Sequence, residues 1–102
     1  MMLLTDEIRK QIPNLNGTEN EDDPLVTAKF FSPWSGWAWY GIEFDGEDVF
    51  FGIVDGDECE WGYFSLAELE SVMVCDTPAV ERDLNFRPAR LSQIPELSAA
   101  RK

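Results

Sequence analysis

Between residues 37 and 64 the chain alternates apolar runs with acidic breaks. The runs are "WAWYGIEF" (37–44), "DVFFGIV" (48–54) and "ECEWGYF" (58–64). Asp45-Gly46 and Asp55-Gly56 lie between them, and Asp-Gly between apolar runs predicts a tight hairpin. Three consecutive antiparallel strands follow. Upstream, "LVTAKFF" (25–31) reads as a fourth strand, joined through the Pro- and Gly-bearing connection "SPWSG" (32–36). The turns repeat at an offset of ten residues. Asp45, Gly46, Glu47, Asp48 and Gly52 match Asp55, Gly56, Asp57, Glu58 and Gly62 in kind. Two copies make a meander rhythm, not a solenoid.

Helical spacing shows at both flanks. Leu4, Ile8 and Ile12 repeat every four residues behind Thr5, an N-cap residue. Asp6 and Glu7 suit the first turn, Arg9 and Lys10 the last, and Pro13 ends the element. Residues 14–24 are a polar loop. After the strands, Ser65 and Glu68 have capping-box spacing, and Leu66, Leu69 and Val72 or Met73 form a stripe to bury. The segment 74–90 is less regular. "RDLNFRP" suggests a short edge strand, since Pro88 bars a central one, and Ser92 is expected to cap a last short helix through Leu97. The expected fold is one α+β domain over 1–102, an antiparallel β-meander of about four strands with helices packed on one face.

Alternation lets one strand serve two environments. Cys59, Trp61 and Tyr63 face one way, and Glu58, Glu60 and Gly62 the other. A three-residue connection at Asp55–Asp57 would put Val49, Phe51 and Ile53 with the first set. A two-residue connection would set Glu58 and Glu60 among those aliphatics without partners, so the longer turn is expected. The opposite face then combines Glu58 and Glu60 with Phe50, Gly52 and Phe64, a mix that fits packing on a partner protein. The strand 37–44 is apolar on both faces, which leaves the register of the first hairpin open.

Composition sharpens the picture. The chain of 102 residues is 44% hydrophobic and 13% aromatic, which is globular composition, yet carries a net charge of −12. Residues 43–60 hold eight carboxylates and no basic residue, and twelve acids fall between Lys29 and Arg82 without a lysine or arginine. Such a balance disfavours direct contact with nucleic acid or anionic membranes and favours basic partners or cations. Acids at hairpin tips ordinarily serve solvation and protect edges. Crowding is expected to raise several carboxylate pKa values. Raised folded pKa values add stability at low pH that is lost as pH rises through them, so the protein should melt higher near about pH 5 than about pH 8.

No stretch approaches a membrane span of about 20 apolar residues. "MMLLTDEIRK" lacks the run of a signal peptide, and a cytoplasmic location is expected. Cys59 and Cys75 have no metal-ligand spacing. Histidine is absent, and no phosphate loop, nucleophile elbow or zincin motif occurs. No catalytic residue, metal or cofactor is therefore expected. The tryptophans of "PWSGWAW" could stack on sugars or bases, but more often such residues cover a sheet.

"LLTDEIRKQIP", "KFFSPWSGWAWYGIEFDGEDVFFG", "WGYFSLAELE" and "ERDLNFRP" together resemble the family catalogued as domain of unknown function 2958, over nearly the whole chain. The resemblance implies a product of plasmids, phages or integrating elements, often encoded near anti-restriction genes. It supplies no catalytic residues, and Cys59 and Cys75 do not match motif positions.

The function expected from residues and resemblance together is non-enzymatic. Acidic hairpins would occupy the basic nucleic-acid groove of a host defence protein, a CRISPR effector or a restriction enzyme, as a nucleic-acid mimic. The residues assigned to that contact are Glu43, Asp45, Glu47, Asp48, Asp55, Asp57, Glu58 and Glu60, with Trp37 and Phe50. Side chains two apart on a strand lie about 6.5–7 Å apart, loosely comparable with duplex charge at one per about 3.4 Å per strand. An adaptor using an aromatic sheet face, or a cation-dependent hydrolase, are the alternatives.

Overall fold

The computed structural model describes residues 3–100, with side chains as far as Leu97. In chain order the elements are α1 (Asp6–Gln11), β1 (Leu25–Val26), β2 (Ala28–Phe31), β3 (Ala38–Phe44), β4 (Val49–Asp55), β5 (Cys59–Ser65), α2 (Leu66–Ser71), β6 (Met73–Val74), β7 (Thr77–Pro78), β8 (Glu81–Arg82) and β9 (Ala89–Arg90). Two 3-10 turns, Leu91–Gln93 and Pro95–Ala100, follow. The main sheet has five antiparallel strands in the order β5-β4-β3-β2-β8. The fold is α+β, and the meander β2 to β5 stands as the turn signals predict.

Two strands depart from expectation. The run 25–31 divides at Thr27. Its first half, β1, leaves the main sheet to pair with β9, and its second half stays as β2. The edge strand expected within 82–88 forms earlier: β8 is Glu81 and Arg82, paired with Phe31 and Phe30, and only Arg82 belongs to the expected run. Pro88 lies beyond it, just before β9.

Thr5 caps α1 by accepting the Ile8 N–H. Ser65 Oγ accepts the Glu68 N–H at 3.2 Å. Asp48, from the neighbouring strand, strengthens the same cap by accepting Ser65 O–H and Ala67 N–H at 2.6 and 2.8 Å. Leu66 and Leu69 are buried as expected, but α2 stops at Ser71 and leaves Val72 and Met73 exposed. Ser92 caps nothing. Its N–H and O–H both donate to Asp23, tying the C-terminal segment to the polar loop.

The sheet is covered on both faces, with the two α-helices on one and the C-terminal 3-10 turns on the other. Leu4, Ile12, Leu66 and Leu69, from α1, α2 and their flanks, pack on Phe30, Phe44, Phe50 and Phe64. On the other face Leu91, Ile94 and Leu97 of the C-terminal turns pack on Val26, Tyr40, Ile42 and Ile53. A strand apolar on both sides, as β3 is, needs exactly such two-sided cover in order to bury its residues.

The register of the first hairpin is settled by a β-bulge. Gly41 pairs with Gly52 and Glu43 with Phe51, so Ile42 is the extra residue. The bulge keeps Tyr40 and Ile42 on the C-terminal face and swings Phe44 to the helical face beside Phe50. It also brings Glu43 to the C-terminal face. In the second hairpin Asp55 pairs with Cys59, giving a three-residue connection, Gly56–Glu58, one position later than expected. The parity is unchanged, so Phe51 and Ile53 share a face with Trp61 and Tyr63.

Candidate functional site

Consecutive hairpins turn at opposite ends of a sheet, and β4 separates the two acidic turns here. Its seven residues span roughly 20 Å at about 3.3 Å per residue. The eight carboxylates of residues 43–60 are therefore not one lattice. They divide into two end groups and one buried member.

At the first end, Asp45 and Asp48 serve the backbone. Asp45 accepts the N–H groups of Glu47, Asp48 and Val49, and Gly46 closes the turn with φ +92°, a conformation that favours glycine. Asp48 caps α2. Glu47 is exposed. Arg9, remote in sequence, donates to the Gly46 carbonyl at 2.8 Å and lies over the Phe44 ring. The basic-free stretch in sequence thus acquires a cation through the fold.

Asp45 also departs from the upward pKa shift expected from crowding. Backbone hydrogen bonds, first from Asp48 and then from Glu47, hold its carboxyl below the ordinary value. A depressed folded pKa gives stability that is present above the unfolded pKa and is lost as pH falls through the folded one. Asp45→Asn should therefore flatten the acid limb of the melting curve below about pH 4, leaving the neutral limb nearly parallel to wild type. Thermal melts across pH check this, and identical acid limbs would remove Asp45 from the account.

Glu43 and Phe50 are corrections. Glu43 is 3% exposed and holds the polar loop: it accepts Asn16 N–H at 2.7 Å, Thr18 N–H at 3.0 Å and the Thr18 hydroxyl. Phe50 is fully buried among rings, 4.4 Å from Phe44, 5.1 Å from Phe64 and 5.5 Å from Phe30 between centroids. Phe50 cannot meet a partner, and Glu43 is withdrawn from the acidic surface. The expected mixed face separates: Phe50 and Phe64 enter the core, Glu60 is exposed opposite Val54, and Glu58 sits in the turn.

The second end is open. Asp57, Glu58 and Glu60 are exposed and Asp55 half-buried. The β2–β3 connection arrives at the same end, because Phe31 pairs with Ala38 and Ala38 with Asp55. Its shape is set by serines: Ser32 Oγ accepts from Trp34 and Ser35, and Ser35 Oγ from Trp37. This presents Trp34 at 60% exposure and Trp37 at 37%. The Trp37 ring lies against Gly56, where an added Cβ would come within 2.7 Å of it. A depression of about 340 Å³ lies among Trp37, Val54, Gly56, Asp57, Glu58 and Glu60. Trp34 was not singled out as a site residue in the sequence, although a tryptophan between proline and serine in a connection is placed for exposure.

A wider groove of about 570 Å³ adjoins this end and includes Lys29, Tyr40, Asp55 and Asp83. Lys29 pairs with Asp83 at 3.6 Å. Burial alone would lower its pKa, but Tyr40 and then Asp83 outweigh that and raise it. Burial, foremost, raises Tyr40. Cys59 and Cys75 are free thiols, and burial followed by Asp55 pushes Cys59 up.

Among the described residues no group of three or more histidine, cysteine, aspartate and glutamate side chains is disposed to hold a metal ion. No helix among them is long and apolar enough to cross a membrane. The chain matches no curated protein and no solved structure. A family model does match, described as a protein of unknown function (DUF2958), and it spans residues 3–101. With nearly the whole length covered, the chain belongs to the DUF2958 family.

Proposed function

We propose that this protein is a non-enzymatic acidic binding protein. Its open end, Asp55 to Glu60 with Trp34 and Trp37, occupies the basic nucleic-acid-binding surface of a host defence protein, a CRISPR effector or a restriction enzyme. The observation that carries the reading is the meeting of exposed carboxylates and exposed indoles at one end of the sheet, where Lys29 is already tied to Asp83. Carboxylates stand in for phosphates, and indoles can stack on the aromatic or guanidinium groups that otherwise receive bases. The company of anti-restriction genes that the family resemblance implies directs the choice of partner. The mimicry is narrower than the sequence suggested. Asp45, Asp48 and Glu43 have structural duties, so the contact belongs to the second hairpin and the β2–β3 connection.

The test is competition between this protein and labelled duplex or guide RNA on the partner captured from host lysate. Charge reversal at Asp57→Lys with Glu58→Lys should slow association by about tenfold or more at low salt, with the difference shrinking as salt rises. Trp37→Ala should act mainly on dissociation. Simultaneous binding of protein and nucleic acid at every salt concentration overturns the mimicry. An adaptor role has its own support in Tyr63, 64% exposed beside Phe51 and Trp61. It predicts that Tyr63→Ala abolishes capture while the charge reversals leave it intact.

A further inference from the structure

The bulge at Ile42 has a chemical consequence on the C-terminal face. It carries Glu43 to a position opposite Phe51, at the floor of a cavity of about 130 Å³. One wall is a row of rings on adjacent strands. Phe51 stacks on Trp61 at 5.6 Å and 22°, and meets Tyr63 at 5.0 Å and 54°. The other wall is the polar loop, through Thr18 and Pro24. Tyr63 stands at the mouth, largely exposed.

The size narrows what can enter. A cavity of about 150 Å³ takes a benzene-sized group, whereas drug-sized ligands need about 300–1,000 Å³. A nucleotide or sugar is too large, and one small flat head group fits. Charge narrows it further. Glu43 is buried, and no cationic side chain of the described residues pairs with it. Its three donors are two amides and a hydroxyl, all neutral, against roughly four acceptor positions on a carboxylate. One position on Oε1 therefore stays open, on a residue that shares the cavity with Phe51, Trp61 and Tyr63. Negative charge and ring faces both attract a cation. Guanidinium is planar, weakly hydrated and stacks on rings, whereas an ammonium is compact and strongly hydrated.

We infer that this cavity receives the guanidinium head of an arginine side chain, stacked on the Phe51–Trp61–Tyr63 row and donating one hydrogen bond to Glu43. The arginine comes from the basic partner, so the inference rests on the proposed function for the source of its ligand. The cavity adds a selective contact to the general attraction of the acidic end.

The experiment titrates the whole protein with N-acetyl-arginine amide, followed by amide and indole NMR shifts. The citrulline and lysine amides serve as controls at equal ionic strength. A dissociation constant on the order of millimolar is expected for so small a probe. Saturable shifts should fall on Trp61, Asn16 and Thr18. The neutral citrulline amide and the lysine amide should bind about tenfold more weakly or less. Tyr63→Ala removes an exposed ring, leaves the core alone, and should weaken arginine binding several-fold. Glu43→Gln should weaken it further where that variant keeps the wild-type spectrum. Equal, unsaturating drift with arginine and lysine amides would reduce the effect to counter-ion screening and overturn the inference. So would unchanged affinity in Tyr63→Ala. The probe needs no partner, so its result stands apart from the Asp57 and Glu58 competition, and either reading can fail alone.

Discussion

Phe50→Ala is expected to cost about 3–5 kcal/mol of folding stability, the usual range for a large aromatic removed from a packed core. Its ring is fully buried and lies within stacking or edge contact of Phe30, Phe44 and Phe64. Those neighbours come from β2, β3 and β5, so the void would open where three strands and both helices converge. Backbone pairing on either side holds these strands in place and limits collapse into the void. A domain of this size has total stability of about 5–15 kcal/mol, and each kcal/mol moves the melting temperature by about 4–8 °C. A large fall in melting temperature and in urea midpoint should follow, with binding lost only as the fold is lost. Tyr63→Ala is the comparison: its ring lies on the surface and its removal should cost little. A Phe50→Ala protein within about 1 kcal/mol of wild type would show that the aromatic cluster is not the core.

The outcome separates two readings of one residue. By alternation alone Phe50 shares a face with Glu60, and a face carrying both looks like a contact surface. What alternation cannot supply is how far the cover extends along the face. Leu4, Ile12, Leu66 and Leu69 cover the Phe50 end, while at the other end Val54 is only half-buried and Glu60 and Trp37 are exposed. The same strand face is core at one end and surface at the other.

Much of the meander was legible because its signals are local. Thr5, Ser65 and the Asp-Gly pairs each act within a few residues; both caps form as the chain predicted, and the second turn forms one position later. The division of residues 25–31 at Thr27 was not legible, because β1 pairs with Ala89 and Arg90, far along the chain. Ser92 has the composition of a cap, yet its hydrogen bonds go to Asp23, and no short-range pattern distinguishes those uses. Glu43 shows the same limit for the site. It stands in an acidic run that reads as surface, and only the bulge turns it inward to meet Asn16 and Thr18. The signal for that bulge was present in a weak form: a strand with apolar residues on both faces ending in Ile-Glu-Phe lets a slip of one residue bury Phe44 and Ile42 alike. Two-sided cover was not expected, although Trp39 and Tyr40 point in opposite directions and each needs something to pack on.

The glycine row tests the bulge directly. Gly41, Gly52 and Gly62 lie side by side across β3, β4 and β5, and two of them were visible as the last members of the ten-residue repeat. Their surroundings differ sharply. A Cβ at Gly52 would stand 1.9 Å from the Tyr40 carbonyl oxygen and 3.2 Å from the Ile42 nitrogen. Both are backbone atoms just before and at the bulge. An extra residue bends its strand, and here it carries the Tyr40 carbonyl over the space a Gly52 side chain would take. Backbone held in a ladder on both sides cannot move aside as a side-chain tip can. Gly52→Ala should therefore lose at least about 3 kcal/mol, the upper end of ordinary overpacking. A Cβ at Gly62 would meet nothing within 4 Å. Glycine inside a strand costs about 0.5–1 kcal/mol relative to alanine, so Gly62→Ala should be neutral or slightly stabilising. Chemical denaturation of the two variants beside wild type reads the contrast, with both substitutions adding one methyl to neighbouring positions of one row. Comparable stabilities for the two would mean that β3 passes β4 without the slip at Ile42, and Glu43 would then lose its place at the floor of the aromatic cavity.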